Sequence, residues 1–298
     1  AAIPLTLTTK FESAFQRTQQ AIGLIPLAQQ QFKAGNLDGA LDIYERAAEL
    51  DRENPVTLYH IGYIYTQQNR IDEAIEVLTR ALNISPDLQQ VRAALGFAYR
   101  RKGQTMPTIE ERDRYFEMAR KELEVALANV PGLVDDDGES WWGSLGGLYK
   151  RWGRDGDLEK AINAYQRAAD YTPKSSYPFI NLGLLHLTHK PTQPDYKQLL
   201  SQARDLALKE IQARIDNHWA YGDLMMIYLV VDRDEDAARR TLRDLIAVYP
   251  KDAQDVMSNI RATLIHVAQT HHPHDPEFAC MILNFVSQIR GEGETVII

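Results

Sequence analysis

The sequence predicts an all-α protein, a right-handed α-solenoid of antiparallel helix hairpins, and three observations carry that prediction. A small residue recurs at a step of 34, from Ala28 to Gly62 to Gly96. A second set keeps the same step, with Ala40 to Ala74, Tyr44 to Leu78, Ala47 to Ala81 and Leu50 to Ile84. Pro86, Pro131, Pro173 and Pro250 stand where the second helix of a hairpin must stop, because proline cannot extend the hydrogen-bonded ladder. The small residues let two helices approach, and the larger apolar ones fill the space between successive hairpins.

The fullest copy of the pattern is Trp142-x2-Leu145-Gly146-x2-Tyr149, followed by Ala161, Tyr165, Ala168 and Pro173. Ile61-Gly62 and Tyr65 precede Ala74, Leu78, Ala81 and Pro86, and Leu95-Gly96 and Tyr99 repeat the first half. This pattern resembles the tetratricopeptide repeat, a helix pair that stacks into a superhelix. The resemblance implies a binding scaffold with its functional surface on the inner wall made by the first helix of each hairpin.

Residues 1–20 read as an N-terminal lead and capping helix, with Leu5 and Leu7 extended and Phe11 and Phe15 one helical turn apart. This arm caps its own chain or swaps into an oligomer. Residues 21–250 hold about six hairpins. The first pairs residues 24–34 with 37–50, and the second spans 55–84. In the third, Ala119 follows Gly103 by 16 positions where about 5 are usual, which places an insertion at 104–115. Lying at a hairpin turn, that segment is expected to be a dispensable loop carrying accessory contacts. The fourth hairpin covers 140–171 with a small insertion at Arg154-Asp155-Gly156. The fifth begins with Phe179, Leu182 and Gly183 and is broken by a proline-rich loop near 188–195. The sixth covers 219–249, with Ala238, Leu242 and Leu245 in phase. Residues 251–298 supply capping helices and a short apolar tail, Thr295 to Ile298, behind a Gly-Glu tether. That tail either contacts a partner or frays.

The net charge of −8 speaks against nucleic acid as a partner. No stretch approaches the 18 to 20 apolar residues of a membrane span, and the chain reads as soluble and cytoplasmic. It begins at Ala1, which leaves earlier processing open. The single cysteine, Cys280, lies in an apolar run and reads as a buried structural thiol.

The inner-wall positions offer Gln29, Phe32 and Lys33, then Tyr59, Tyr63 and Gln67, then Phe97, Arg100 and Arg101, and finally Lys150 and Arg151. Aromatic area alternating with positive charge suits a protein or peptide partner that carries apolar anchors and carboxylates. Against this stands packing of Tyr63 and Phe97 between helices, with the basic residues answering helix dipoles. One branch of the resembled family clamps a chaperone's terminal carboxylate with Lys and Asn. The matching places here hold Ile25, Gln29, His60, Gln90 and Ala94, so that clamp is absent.

His266, His271, His272 and His274 with Asp275 form a dense cluster, but Pro273 and Pro276 mark a solvent loop and Asp275 reads as a helix N-cap, with no metal expected. Asp135, Asp136, Asp137 and Glu139 lack the alternation of a calcium loop and read as a solvated linker that caps the helix at Trp141. No nucleophile elbow, phosphate loop or metalloprotease motif occurs, so no catalytic residue and no cofactor is expected. The sequence thus reads as a non-enzymatic interaction scaffold or adaptor. The alternative is a structural or regulatory subunit permanently packed in a larger complex.

Overall fold

The computed structural model describes residues 5–189, 195–215, 217–248 and 254–289. These form fourteen α-helices and one π-helical turn, with a single isolated antiparallel bridge, Val134 to Ser140, as their β-structure. The chain divides into two compact units, Ala1–Asp157 and Leu158–Ile298. None of the described helices is long and apolar enough to cross a membrane.

The first unit contains α1 (Leu5–Lys33), α2 (Leu37–Leu50), α3 (Pro55–Gln67), α4 (Ile71–Ile84), α5 (Gln89–Gln104), α6 (Ile109–Asn129) and α7 (Trp141–Trp152). Hairpins form from α1 with α2, α3 with α4, and α5 with α6, and each next first helix packs on the preceding second helix. The first helices also touch one another, α3 to α5 and α5 to α7, which creates one inner face. This is the stacked-hairpin order of an α-solenoid. At Gly62 an added Cβ would lie 2.4 Å from Cγ of the fully buried Leu78, and at Gly96 it would lie 3.1 Å from the Ala119 carbonyl. The repeated small residue is therefore the contact point between paired helices. Pro86 and Pro131 follow α4 and α6 by two residues, as expected of helix terminators.

Two elements differ from the sequence reading. Leu5 and Leu7 are helical, because α1 is one helix of 29 residues that carries Pro26 inside it. No proline interrupts residues 5–25, so a helix nucleated against α2 propagates towards the N-terminus. Residues 104–115 likewise form no projecting loop. Measured against α3 and α4 at the 34-residue step, α5 runs on past 101 to Gln104, and α6 starts at Ile109 with only residues 105–108 turning. Thr108 caps α6 by accepting the Glu111 N–H at 3.2 Å. The extension is anchored by Phe116, which is buried against Gly103 and meets Trp152 edge-on at 5.8 Å. Helix-forming residues such as Glu110, Glu111, Arg112 and Arg114 favour lengthening the hairpin over a loop.

The second unit contains α8 (Asp157–Tyr171), α9 (Tyr177–His189), α10 (Asp195–Ala213), α11 (His218–Ile227), the π-turn Tyr228–Asp232, α12 (Glu235–Val248), α13 (Gln254–His271) and α14 (Pro276–Val286). Helices α9 and α10, α11 and α12, and α13 and α14 form hairpins, and α13 also packs on α9 and α11. Helix α8 ends two residues before Pro173. Cys280 is exposed, contrary to the sequence reading. Phe278, Ala279, Ile282, Phe285 and Val286 take the buried stripe of α14, and that spacing turns residue 280 outwards. Asp275 caps α14 by accepting the Phe278 N–H at 3.0 Å, and it also accepts from Arg233 at 2.6 Å. His271 is buried with Nε2 3.1 Å from the Leu187 carbonyl, while His272 and His274 are exposed. Among the described residues no group of three or more side chains could hold a metal. The loop at 190–194, Pro250 and the tail at 291–298 lie outside the described residues.

Candidate protein-interaction site

The site is built on α3. Asn54 accepts the N–H groups of Val56 and Thr57, both at 3.1 Å, and Pro55 opens the helix, so its start is fixed. Residues 59, 63 and 67 then follow at a spacing of four and share one face. Helix α5 adds Gln90 and Phe97, and the start of α7 adds Trp141. The aromatic rings join across elements: Phe32 lies 6.0 Å from Tyr63, Tyr63 lies 6.1 Å from Trp141, and Phe97 lies 6.0 Å from Trp141.

The segment between α6 and α7 folds onto this face. Asp135 Oδ1 accepts the N–H groups of Asp137 at 3.0 Å and Glu139 at 2.8 Å. The Gly138 N–H reaches the Asp135 carbonyl at 3.1 Å, with Gly138 at φ +85°, a conformation open to glycine. This closes a tight turn that presents Asp136 and Asp137 at its tip. Tyr59 donates its hydroxyl to Asp136 at 3.0 Å, and His60 Nδ1 lies 2.6 Å from the same carboxylate. Tyr63 donates to Asp137 at 2.9 Å and Gln67 donates to it at 3.2 Å. Gln90 donates to the Val134 carbonyl at 2.6 Å and to the Tyr59 hydroxyl at 3.1 Å.

Two corrections follow. The acidic run is more than a solvated linker: Asp137 stays exposed and Ser140 does cap α7 by accepting the Trp142 N–H at 3.3 Å, but the run also docks on α3. His60 and Gln90, which lack clamp chemistry in the sequence reading, take part in holding an acidic segment, one belonging to the chain itself.

The predicted binding residues fall into two groups. Phe32, Tyr59 and Tyr63 are brought together but are buried, Tyr59 being 3% and Tyr63 1% exposed. Half-buried Phe97 carries the Arg100 guanidinium 4.9 Å above its ring, and Arg100 is itself only 7% exposed. Lys33 is exposed in the last turn of α1. Arg101 donates to Asn69 at 3.2 Å. Lys150 and Arg151 sit in the last turn of α7, about 14 Å along the helix from Trp141 at 1.5 Å per residue. Arg151 there reaches the Gly147 carbonyl at 3.3 Å, which fits a helix-end role.

Burial, followed by the charge of Asp136, pushes the Tyr59 hydroxyl well above its ordinary pKa, and burial with Asp135 and Asp137 does the same to Tyr63. Both tyrosines therefore remain hydrogen-bond donors at neutral pH. Burial and then the Asp137 charge push the Asp135 carboxyl well above the usual carboxylate range, opposed by the hydrogen bonds from the Glu139 N–H and the Tyr63 hydroxyl, while the Glu139 charge adds repulsion. A raised pKa in the docked turn means that Asp135 stabilises docking fully below about pH 4 and loses that contribution as pH rises through its raised value. Amide exchange at Asp137 and Glu139, corrected for intrinsic rate, is expected to show protection that declines with rising pH. Asp135→Asn should flatten the profile, and a flat wild-type profile would show that the docked turn carries an ionised Asp135.

Comparison with known proteins places the geometry. A model described as Tetratricopeptide repeat matches residues 31–99, and one described as Tetratricopeptide Repeats-Sensor matches residues 70–186. The crystal structure of TTC0263, a thermophilic TPR protein of Thermus thermophilus, aligns over 76% of this chain and 99% of its own at 18% identity and a TM-score of 0.53. MamA from Desulfovibrio magneticus RS-1 aligns over 62% of this chain and 94% of its own, at 21% identity and a TM-score of 0.45. YrrB, described as a TPR protein with an unusual peptide-binding site, aligns over 70% and 93%, at 14% identity and a TM-score of 0.40. At these identities the first likeness concerns the fold alone.

Proposed function

This chain belongs to the tetratricopeptide-repeat family, whose fold is a protein-interaction scaffold, and we propose that it is a non-enzymatic adaptor whose partner site is the inner face of its first unit. One observation supports the reading above others: the side-chain donors of Tyr59, His60, Tyr63, Gln67 and Gln90 converge on a single acidic segment. Phe32, Tyr59, Tyr63 and Phe97 contribute apolar area beneath it, with Arg100 stacked on Phe97. Lys33 on α1, Arg101 on α5 and Lys150 and Arg151 on α7 add positive charge on first helices, where it steers an acidic partner.

Exposed Phe15 and Ile22 on α1 favour a second reading, permanent packing in a larger complex through the N-terminal helix. The test leaves out Arg100, because a glutamate at that buried position would disturb the fold. In Lys33→Glu/Arg101→Glu/Lys150→Glu/Arg151→Glu, affinity for the isolated native partner is expected to fall tenfold or more, with stability changed by no more than about 1 kcal/mol. Retained affinity in this variant, together with loss on Phe15→Glu/Ile22→Glu, would transfer the function to α1.

A further inference from the structure

We propose that residues 134–139 are an intramolecular pseudoligand, holding in cis the place that an acidic turn of a partner protein takes in the bound state. The proposal rests on the inner-face reading above and adds to it the chemistry of the partner and a means of regulation. Three features of the cradle carry it. First, each tip carboxylate has its own pair of donors from α3: Tyr59 and His60 for Asp136, Tyr63 and Gln67 for Asp137. Donors at consecutive turns of one helix match two adjacent carboxylates, so the cradle reads a pair of them and not a lone terminal carboxylate. Second, Gln90 binds the backbone carbonyl of Val134, so main chain as well as side chain is recognised. Third, the turn is organised from within by Asp135 and Gly138, with an antiparallel pair at Val134 and Ser140, so a cyclic peptide of the same sequence can adopt it.

The turn is also under internal strain of charge. Asp137 and Glu139 crowd Asp135, which also faces Tyr59 and Tyr63 from α3, so docking sets carboxylate repulsion against the donors of the cradle. A partner turn with two carboxylates and fewer like charges would gain the same donors at lower cost. Tethering gives the cis segment an effective concentration of millimolar order, which keeps weak acidic peptides out. Selectivity for strong or multivalent partners follows.

The probe is a cyclised, fluorescently labelled peptide of residues 132–140, titrated against the full chain. Asp136→Ala/Asp137→Ala, which removes the cis carboxylates, is expected to bind it at least tenfold more tightly than the unaltered chain. The isosteric Asp136→Asn/Asp137→Asn should behave alike and stands in if the alanine variant melts early. Adding Tyr59→Phe/Tyr63→Phe to either variant should reduce binding at least tenfold, and a peptide with asparagines at its two tip positions should not bind. Equal binding to altered and unaltered chains, equal binding of the aspartate and asparagine peptides, or no binding to either variant at millimolar peptide overturns the proposal. The inner-face reading is judged separately, by the charge-reversal variant and the native partner.

Discussion

Deletion of residues 104–115 is expected to unfold the hairpin of α5 and α6. An antiparallel helix pair needs a connection of about 2 to 5 residues, and the deletion would join Gly103 directly to Phe116. The Phe116 ring must lie on Gly103 from the opposite helix, where an added Cβ would be 2.5 Å from its Cδ1, and two consecutive residues cannot take that arrangement. The ring contact between Tyr99 and Tyr115, at 6.3 Å, disappears as well. Loss of the buried Phe116 environment alone corresponds to about 3 to 5 kcal/mol. Circular dichroism should report reduced helicity and an apparent Tm lower by about 6 to 20 °C, at about 2 to 4 °C per kcal/mol for a chain of this class. Melting like that of the intact chain would show the segment to be a dispensable loop after all. Phe116→Ala, which leaves the turn intact, should give the packing loss without the failure to close.

Trp141→Ala has the next largest expected effect. Trp141 is 1% exposed and stands edge-on to Tyr63 and Phe97, so it ties α3, α5 and α7 together beneath the acidic turn. Truncation should cost about 3 to 5 kcal/mol, with the two aromatic contacts contributing beyond their area. It should also release the turn, seen as faster amide exchange at Asp137 and Glu139. Trp141→Phe should recover much of the stability, because a ring remains and the indole N–H makes no hydrogen bond among the described residues. A stability loss below about 1 kcal/mol for the alanine variant would remove Trp141 from the inner-face core.

Much of the hairpin order was legible because it depends on local periodicity. Ala40, Ala74 and Ala81 mark buried helix faces at fixed steps, and Pro86, Pro131 and Pro173 mark ends, so chemistry and position coincide. The lengthened third hairpin was legible as an insertion but not as helix. Phase arithmetic counts extra residues without saying whether they continue the ladder, and here Phe116 on Gly103 decided the matter. Cys280 failed for a related reason. An apolar run predicts burial on average, whereas only the packed face of α14 shows which of its residues turn away.

The sequence by itself determined that this is an all-α chain of helix hairpins, and it pointed to the aromatic residues Phe32, Tyr59, Tyr63 and Phe97. Those follow from where the repeat puts the first helices α1, α3 and α5 and from spacing within each, a property of the chain alone. Only the tertiary structure decided that Asp136 and Asp137 meet Tyr59, His60, Tyr63 and Gln67, partners more than 60 residues away in the chain. Nothing local encodes that meeting. It requires Trp141 to seat against Tyr63 and Phe97 and the turn at Gly138 to reverse the chain over α3, so an acidic run that looks solvated in sequence becomes the occupant of the inner face.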